Sequence, residues 1–175
     1  MTPPMLRQLR HDVWATARLI ENCRSLSESQ LGFTMPGTYG PIRRILAHVI
    51  AADERYLLTL TLLDVPGRSG LVGLPKGAVH DDRDYPLYEL ASHARAVAQH
   101  VEQLFAGREF EPDIAMRDER RRAEIEPWVL VTQFAHHGSD HRAQICSTLG
   151  ANGLAVPDLD VWAYAREIGG FRPFA

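Results

Sequence analysis

The sequence predicts an all-α protein: a four-helix bundle with a short C-terminal helix and a small hairpin ahead of the fourth long helix. Three observations predict it. Four segments repeat apolar residues at spacings of three and four, the period of an amphipathic helix. Each of the four opens at a proline, and Gly or Pro clusters follow most of them. One connection, of about 20 residues, is long enough to cross over a fold, which short loops are not. With 175 residues the chain suffices for one domain, 1–175, with a real core.

The first helix is expected from Pro3 or Pro4 to Ser25, burying Leu6, Leu9, Val13, Ala17, Ile20 and Cys23. His11 falls beside that stripe, a boundary position with no role. The segment SLSESQLGFTMPGTYG breaks the pattern through Gly32, Pro36, Gly37 and Gly40. Thr38 and Tyr39 either line a pocket mouth or pack the turn. The second helix opens at Pro41 and reaches about Leu63, with Ile45, His48 or Val49, Ala52, Tyr56, Leu60 and Leu63 inward. Glu54 is six residues from His48, roughly 120° away around the axis, and is expected to face solvent.

The long connection covers Asp64 to Asp84. His80, Asp81 and Asp82 are capable of binding a cation there, but a flexible acidic loop is the expected meaning. The third helix runs from near Pro86 to Gly107, with Leu87, Leu90, Ala94, Val97, Val101 and Leu104 as its stripe. His93 and His100 flank this stripe and are expected on a solvated face. Next, Ile114 and Met116 on one side and Ala123 and Ile125 on the other have the pattern of a short hairpin. Arg120, Arg121 and Arg122 stand among acidic neighbours, as a solvated loop does. The fourth helix fills Pro127 to Leu149, with Gly150 just past its end. A short helix with Val161, Trp162, Tyr164 and Ile168 then caps the bundle.

Composition excludes several classes. A net charge of −3 argues against a general nucleic-acid binder. No run of about 18 apolar residues exists to span a membrane. The opening MTPPMLRQLRHD lacks the apolar core of a signal peptide. Cys23 and Cys146 match no zinc or redox spacing, so two reduced cysteines in a cytoplasmic protein are expected.

The chemistry concentrates on the fourth helix. Its stripe is Leu130, Phe134, Ile145 and Leu149, and between them it carries His137 and His141. Residues four apart point the same way, one turn apart, so both imidazoles face inward. That spacing suits two ligands of one metal ion, as in HExxH. Here Gly138, Ser139 and Asp140 intervene, so the glutamate of a metalloprotease is missing. His48 sits at or beside the inward face of the second helix. Taken alone, each of these reads first as a hydrogen-bonded core or boundary histidine. Bundle cores bring ligands from facing helices together, and three imidazoles leave a metal with open positions, the usual form of a catalytic site.

The segment HHGSDHRAQICSTLGANG, with VPDLDVWAYA after it, resembles the last helix and tail of the DinB/YfiT-like proteins. Their motif is His-x-x-x-His-Arg-x-Gln, and His137, His141, Arg142 and Gln144 match it. GPIRRILAHVIAADERYL resembles the second-helix motif of that family, and His48 matches its histidine. His136 stands where relatives often have asparagine, and Ala143 replaces a frequent glycine. The resemblance extends in element order over nearly the whole chain. It implies an up-down-down-up bundle, often a homodimer, with a divalent metal on His48, His137 and His141. Zinc and nickel are the first expectations, and iron also fits.

Some relatives are thiol-dependent enzymes: S-transferases that use bacillithiol or mycothiol, and maleylpyruvate isomerase. Many have no known activity. The expectation is therefore a metal-dependent enzyme acting on a small molecule. It would activate a low-molecular-weight thiol or water as nucleophile, in the manner of an S-transferase or hydrolase. The alternative is a non-catalytic, stress-associated dimeric metal binder. Asp53, Glu54, Gln133 and Gln144 are the candidates to accept the second N–H of a ligand ring. No residue stands out as a general acid or base.

Overall fold

A computed structural model describes residues 4–62, 78–80, 82–105, 116–118, 123–172 and 174. The elements are α1 (Pro4–Cys23), α2 (Glu28–Leu31), α3 (Ile42–Leu62), α4 (Leu87–Phe105), β1 (Met116–Asp118), β2 (Ala123–Ile125), α5 (Pro127–Ala151) and α6 (Val161–Glu167). Leu63, Gly107, Ile114, Arg120, Arg121, Arg122, Asp81 and most of the long connection lie outside the described residues.

The four long helices stand in a ring, α1 beside α4, α4 beside α3, α3 beside α5, and α5 beside α1. Two apolar clusters fix their directions. One joins Leu19 and Ile20 of α1, Ile42 and Ile45 of α3, Leu90 of α4, and Ile145 and Leu149 of α5. The other joins Leu6 and Leu9, Leu57 and Leu60, Val101 and Leu104, and Leu130 and Phe134. The end of α1 thus meets the starts of α3 and α4 and the end of α5. That is an up-down-down-up bundle, and the parallel neighbours α3 and α4 require the crossover. Fully burying each such Leu, Ile or Phe contributes roughly 1.5–3 kcal/mol.

Local chemistry explains the ends. Pro127 takes the first helical position of α5, where its missing N–H costs nothing. The helix runs past Gly150 to Ala151, and the chain turns at Gly153, whose φ is 67°. Gly153, not Gly150, is the stop signal, because a left-handed backbone there favours glycine. Asp160 caps α6 by accepting the N–H of Ala163 at 2.6 Å. The segment after α1 holds the one-turn α2, closed by a capping box between Ser27 and Gln30. β1 and β2 pair antiparallel, with Met116 opposite Ile125, as the hairpin pattern predicts.

Three expectations are corrected. In α1, Ala17 is exposed, while Asp12, Ala15, Thr16 and Leu19 are buried. The helix packs against two neighbours, which widens and rotates its inner face to include polar groups that α5 satisfies. In α3, Glu54 is buried at 1% exposure, because α4 and the end of the crossover cover it. Its carboxylate accepts the Val79 N–H at 2.7 Å and holds His93 Nδ1 at 2.7 Å. In α4, His93 and His100 are therefore interior groups and not a solvated face. His100 Nε2 meets the Thr61 hydroxyl at 2.8 Å. His11 keeps its boundary position, its Nε2 placed 2.9 Å from the Leu159 carbonyl.

Candidate metal centre

Helical spacing aims the three predicted histidines at one point. On α5, Leu130, Phe134, Ile145 and Leu149 are buried against the bundle, and His137 and His141 continue that face half-buried. On α3, His48 lies between buried Ala47 and Val49 and is itself half-buried. Because α3 and α5 are ring neighbours, the side chains meet. Ring centroids are 4.9 Å apart for His48 and His137, 4.7 Å for His48 and His141, and 4.5 Å for His137 and His141. One nitrogen from each lies within 4.8 Å of the others, a set positioned to hold one metal ion.

The donor chemistry fits such an ion. His48 Nε2 and His137 Nε2 face each other at 3.0 Å. Two ligands at zinc–nitrogen distances, about 2.0–2.1 Å, around a tetrahedral ion sit roughly 3.4 Å apart, close to this spacing. Gln144 sets the tautomer of His141. Its Oε1 accepts the Tyr39 backbone N–H at 3.0 Å and lies 3.2 Å from His141 Nδ1. An amide oxygen only accepts, so Nδ1 carries the hydrogen and Nε2 keeps its lone pair. His137 has its pKa lowered to about 4, first by burial and then by the neighbouring His141 and His48. A neutral imidazole is the form that ligates. His137 Nδ1 is buried with no hydrogen-bond partner among the described residues.

Of the four candidate acceptors, the structure selects Gln144. Glu54 serves His93, Gln133 is exposed, and Asp53 faces a different cluster. Thr38 closes its own turn, its hydroxyl donating to the Met35 carbonyl at 2.8 Å. Tyr39 does line the site: its ring stacks on His48 at 3.9 Å and stands edge-on to His141 at 5.5 Å. Tyr56 stands against His137 from the other end, at 6.1 Å. His136 points away, exposed and paired with Asp140 at 3.1 Å. His80 joins no candidate cluster among the described residues. Both cysteines are free thiols; burial pushes Cys23 up to about 12 and also raises Cys146.

Sequence reasoning missed the support behind the ligands. Arg142, 5% exposed, pairs with buried Asp12 and donates to the Thr16 hydroxyl at 2.9 Å. Gly138, between the two inward histidines of α5, makes room for this. A Cβ there would stand 2.6 Å from Arg142 Nη1 and 2.9 Å from the Asp12 carboxylate. The signal was a glycine in mid-helix, which is about 1 kcal/mol worse than alanine unless its small size is used. Burial raises the pKa of Asp12 despite Arg142, and burial first, with nearby Asp12 second, raises that of Asp53 well above the ordinary value. α5 thus docks on α1 through Arg142 and presents its histidines to α3.

Fold and site together define a class: helical bundles whose second and last long helices share three histidines placed around one point. The model of the DinB family matches residues 1–169, and the chain belongs to that family. Neither a curated protein nor a solved structure matches it. No described helix is long and apolar enough to cross a membrane.

Proposed function

We propose that His48, His137 and His141 ligate a divalent metal, zinc or nickel first and iron next, and that the protein is a metal-dependent enzyme. The observation that carries this is the convergence of one nitrogen from each of three half-buried histidines within 4.8 Å. Held by these three histidines, a divalent ion would supply Lewis acidity, lowering the pKa of a bound thiol or water so that it could act as a nucleophile near neutral pH. The chain's residues prepare this. Gln144 holds His141 with Nε2 free, the Tyr39 ring fixes the plane of His48, and burial keeps His137 neutral. Three neutral ligands leave the ion's charge uncompensated, which favours a thiolate.

The reaction class we infer is transfer to a low-molecular-weight thiol or hydrolysis. In the transfer, a sulfur–carbon bond forms at an electrophilic carbon, the leaving group departs with its electron pair, and the thiol proton passes to water. A cytoplasmic homodimer belongs to the same reading, and sedimentation equilibrium tests the pairing. Elemental analysis of untagged protein purified without chelators tests the centre. Near-stoichiometric metal is expected, with none in the variant His48→Ala/His137→Ala/His141→Ala. No metal as purified, and none taken up from added zinc or nickel, would refute the centre. Thiol consumption with an electrophile, with and without metal, then tests the chemistry. Metal without turnover would leave a metal-holding bundle.

A further inference from the structure

The face of α3 that carries His48 also carries two arginines. Arg44 lies one turn before it and Arg55 two turns after it, and residues four and seven apart share a helical face. Both side chains are exposed, and among the described residues neither meets a carboxylate at ion-pair distance. Arg43, next to Arg44 in the chain, does have one, in Glu28. The Arg44 guanidinium lies 5.8 Å from the centre of the Tyr39 ring, and that ring stacks on His48 at 3.9 Å. Tyr39 is 41% exposed, so it forms a rim of the opening and not part of the core. At the other end, Arg55 precedes Tyr56, the ring against His137. The Asp140 carboxylate is turned to His136, both of them exposed.

The histidine site thus lies between two aromatic rings, with the Arg44 guanidinium against the exposed one and Arg55 about 16 Å away along the helix. Guanidinium forks match anionic oxygens, and a cleft of one charge sign concentrates ligands of the other. Resting on the metal-centre reading above, we propose that the substrate carries an anionic group apart from the atom that meets the metal, and that Arg44 recognises it. The substrate class is a small anion with a nucleophilic end, not a neutral or cationic thiol.

Cobalt-loaded protein tests this, with binding read from its visible absorption and not from turnover. Three probes of similar size are titrated: 3-mercaptopropionate, 2-mercaptoethanesulfonate and neutral 2-mercaptoethanol. The anionic probes are expected to bind about tenfold or more tighter, a difference of about 1.4 kcal/mol. The variant Arg44→Gln should take up cobalt normally and bind mercaptoethanol as before, while losing the preference. Arg44→Lys should keep part of it. The sulfonate separates recognition by arginine from chelation by a carboxylate. No preference in the wild type, an unchanged preference in the glutamine variant, or no binding of any probe to loaded protein would overturn the proposal. Failure of the wild type to take up cobalt would overturn the metal centre itself, and this inference with it.

Discussion

Gly138 and Arg142 show how much one residue decides near the site. Alanine is normally the better helix former, by about 1 kcal/mol. Here a methyl group would overlap Arg142 Nη1 at 2.6 Å, so Gly138→Ala is expected to destabilise by about 1–3 kcal/mol, as overpacking does. Denaturant unfolding measures it, and a gain in stability would refute the close approach. Arg142→Met strands the Asp12 carboxylate in the core, and losing one partner of a buried pair costs about 3–5 kcal/mol. Adding Asp12→Asn should recover part of that loss, so the pair couples in a double-mutant cycle. His137 supplies a pH dependence. Its folded pKa, about 4, lies below the ordinary 6.5, so between those values the unfolded chain binds a proton that the folded chain does not. Stability of the metal-free protein therefore includes this contribution above pH 6.5 and loses it as pH falls towards 4. Urea unfolding across that range should show a slope that His137→Gln removes.

Among the elements, α5 is the one that makes the site, because it turns two faces to two neighbours. Its apolar and histidine face was legible from a 3.6-residue period. Its Gly138 and Arg142 face was not, since the period reports apolar residues and this face is polar. The same blindness misplaced Glu54, His93 and His100. A charged or imidazole side chain reads as solvated unless a partner is known, and each of these partners lies far along the chain. Glu54 accepts the Val79 N–H and holds His93, so it ties the end of the crossover to α3 and α4. Glu54→Gln should weaken both bonds, at roughly 1–3 kcal/mol for a buried charged partner. Faster amide exchange at Val79 than in the wild type is the expected readout, and unchanged exchange would contradict the tie.

At the level of the whole molecule, the bundle works as a frame that fixes the distance between α3 and α5. An ion that binds only the folded state stabilises it by mass action, by about 2.7 kcal/mol at one hundred times its Kd. Added zinc or nickel should therefore raise the melting temperature of the wild type and leave the triple histidine-to-alanine variant unchanged, as followed by calorimetry. Equal shifts in both proteins would place the metal elsewhere. Because the three imidazoles stand on two helices that meet only in the folded state, any chelation by them would be coupled to folding.

The sequence by itself determined the class of the fold, the extents of its long helices, and the three histidines that converge. The helices and the inward turn of His137 and His141 follow from spacing along single helices, while His48 as their third was implied by the resemblance to the DinB/YfiT-like proteins. Only the tertiary structure decided what the polar residues do. It chose Gln144 over Asp53, Glu54 and Gln133 beside the ligands, buried Asp12 and Arg142 as a pair, and set Tyr39 on His48. Each of those outcomes depends on a partner from another helix or turn. A polar group's free energy is set by that partner, whereas an apolar group needs only to leave water.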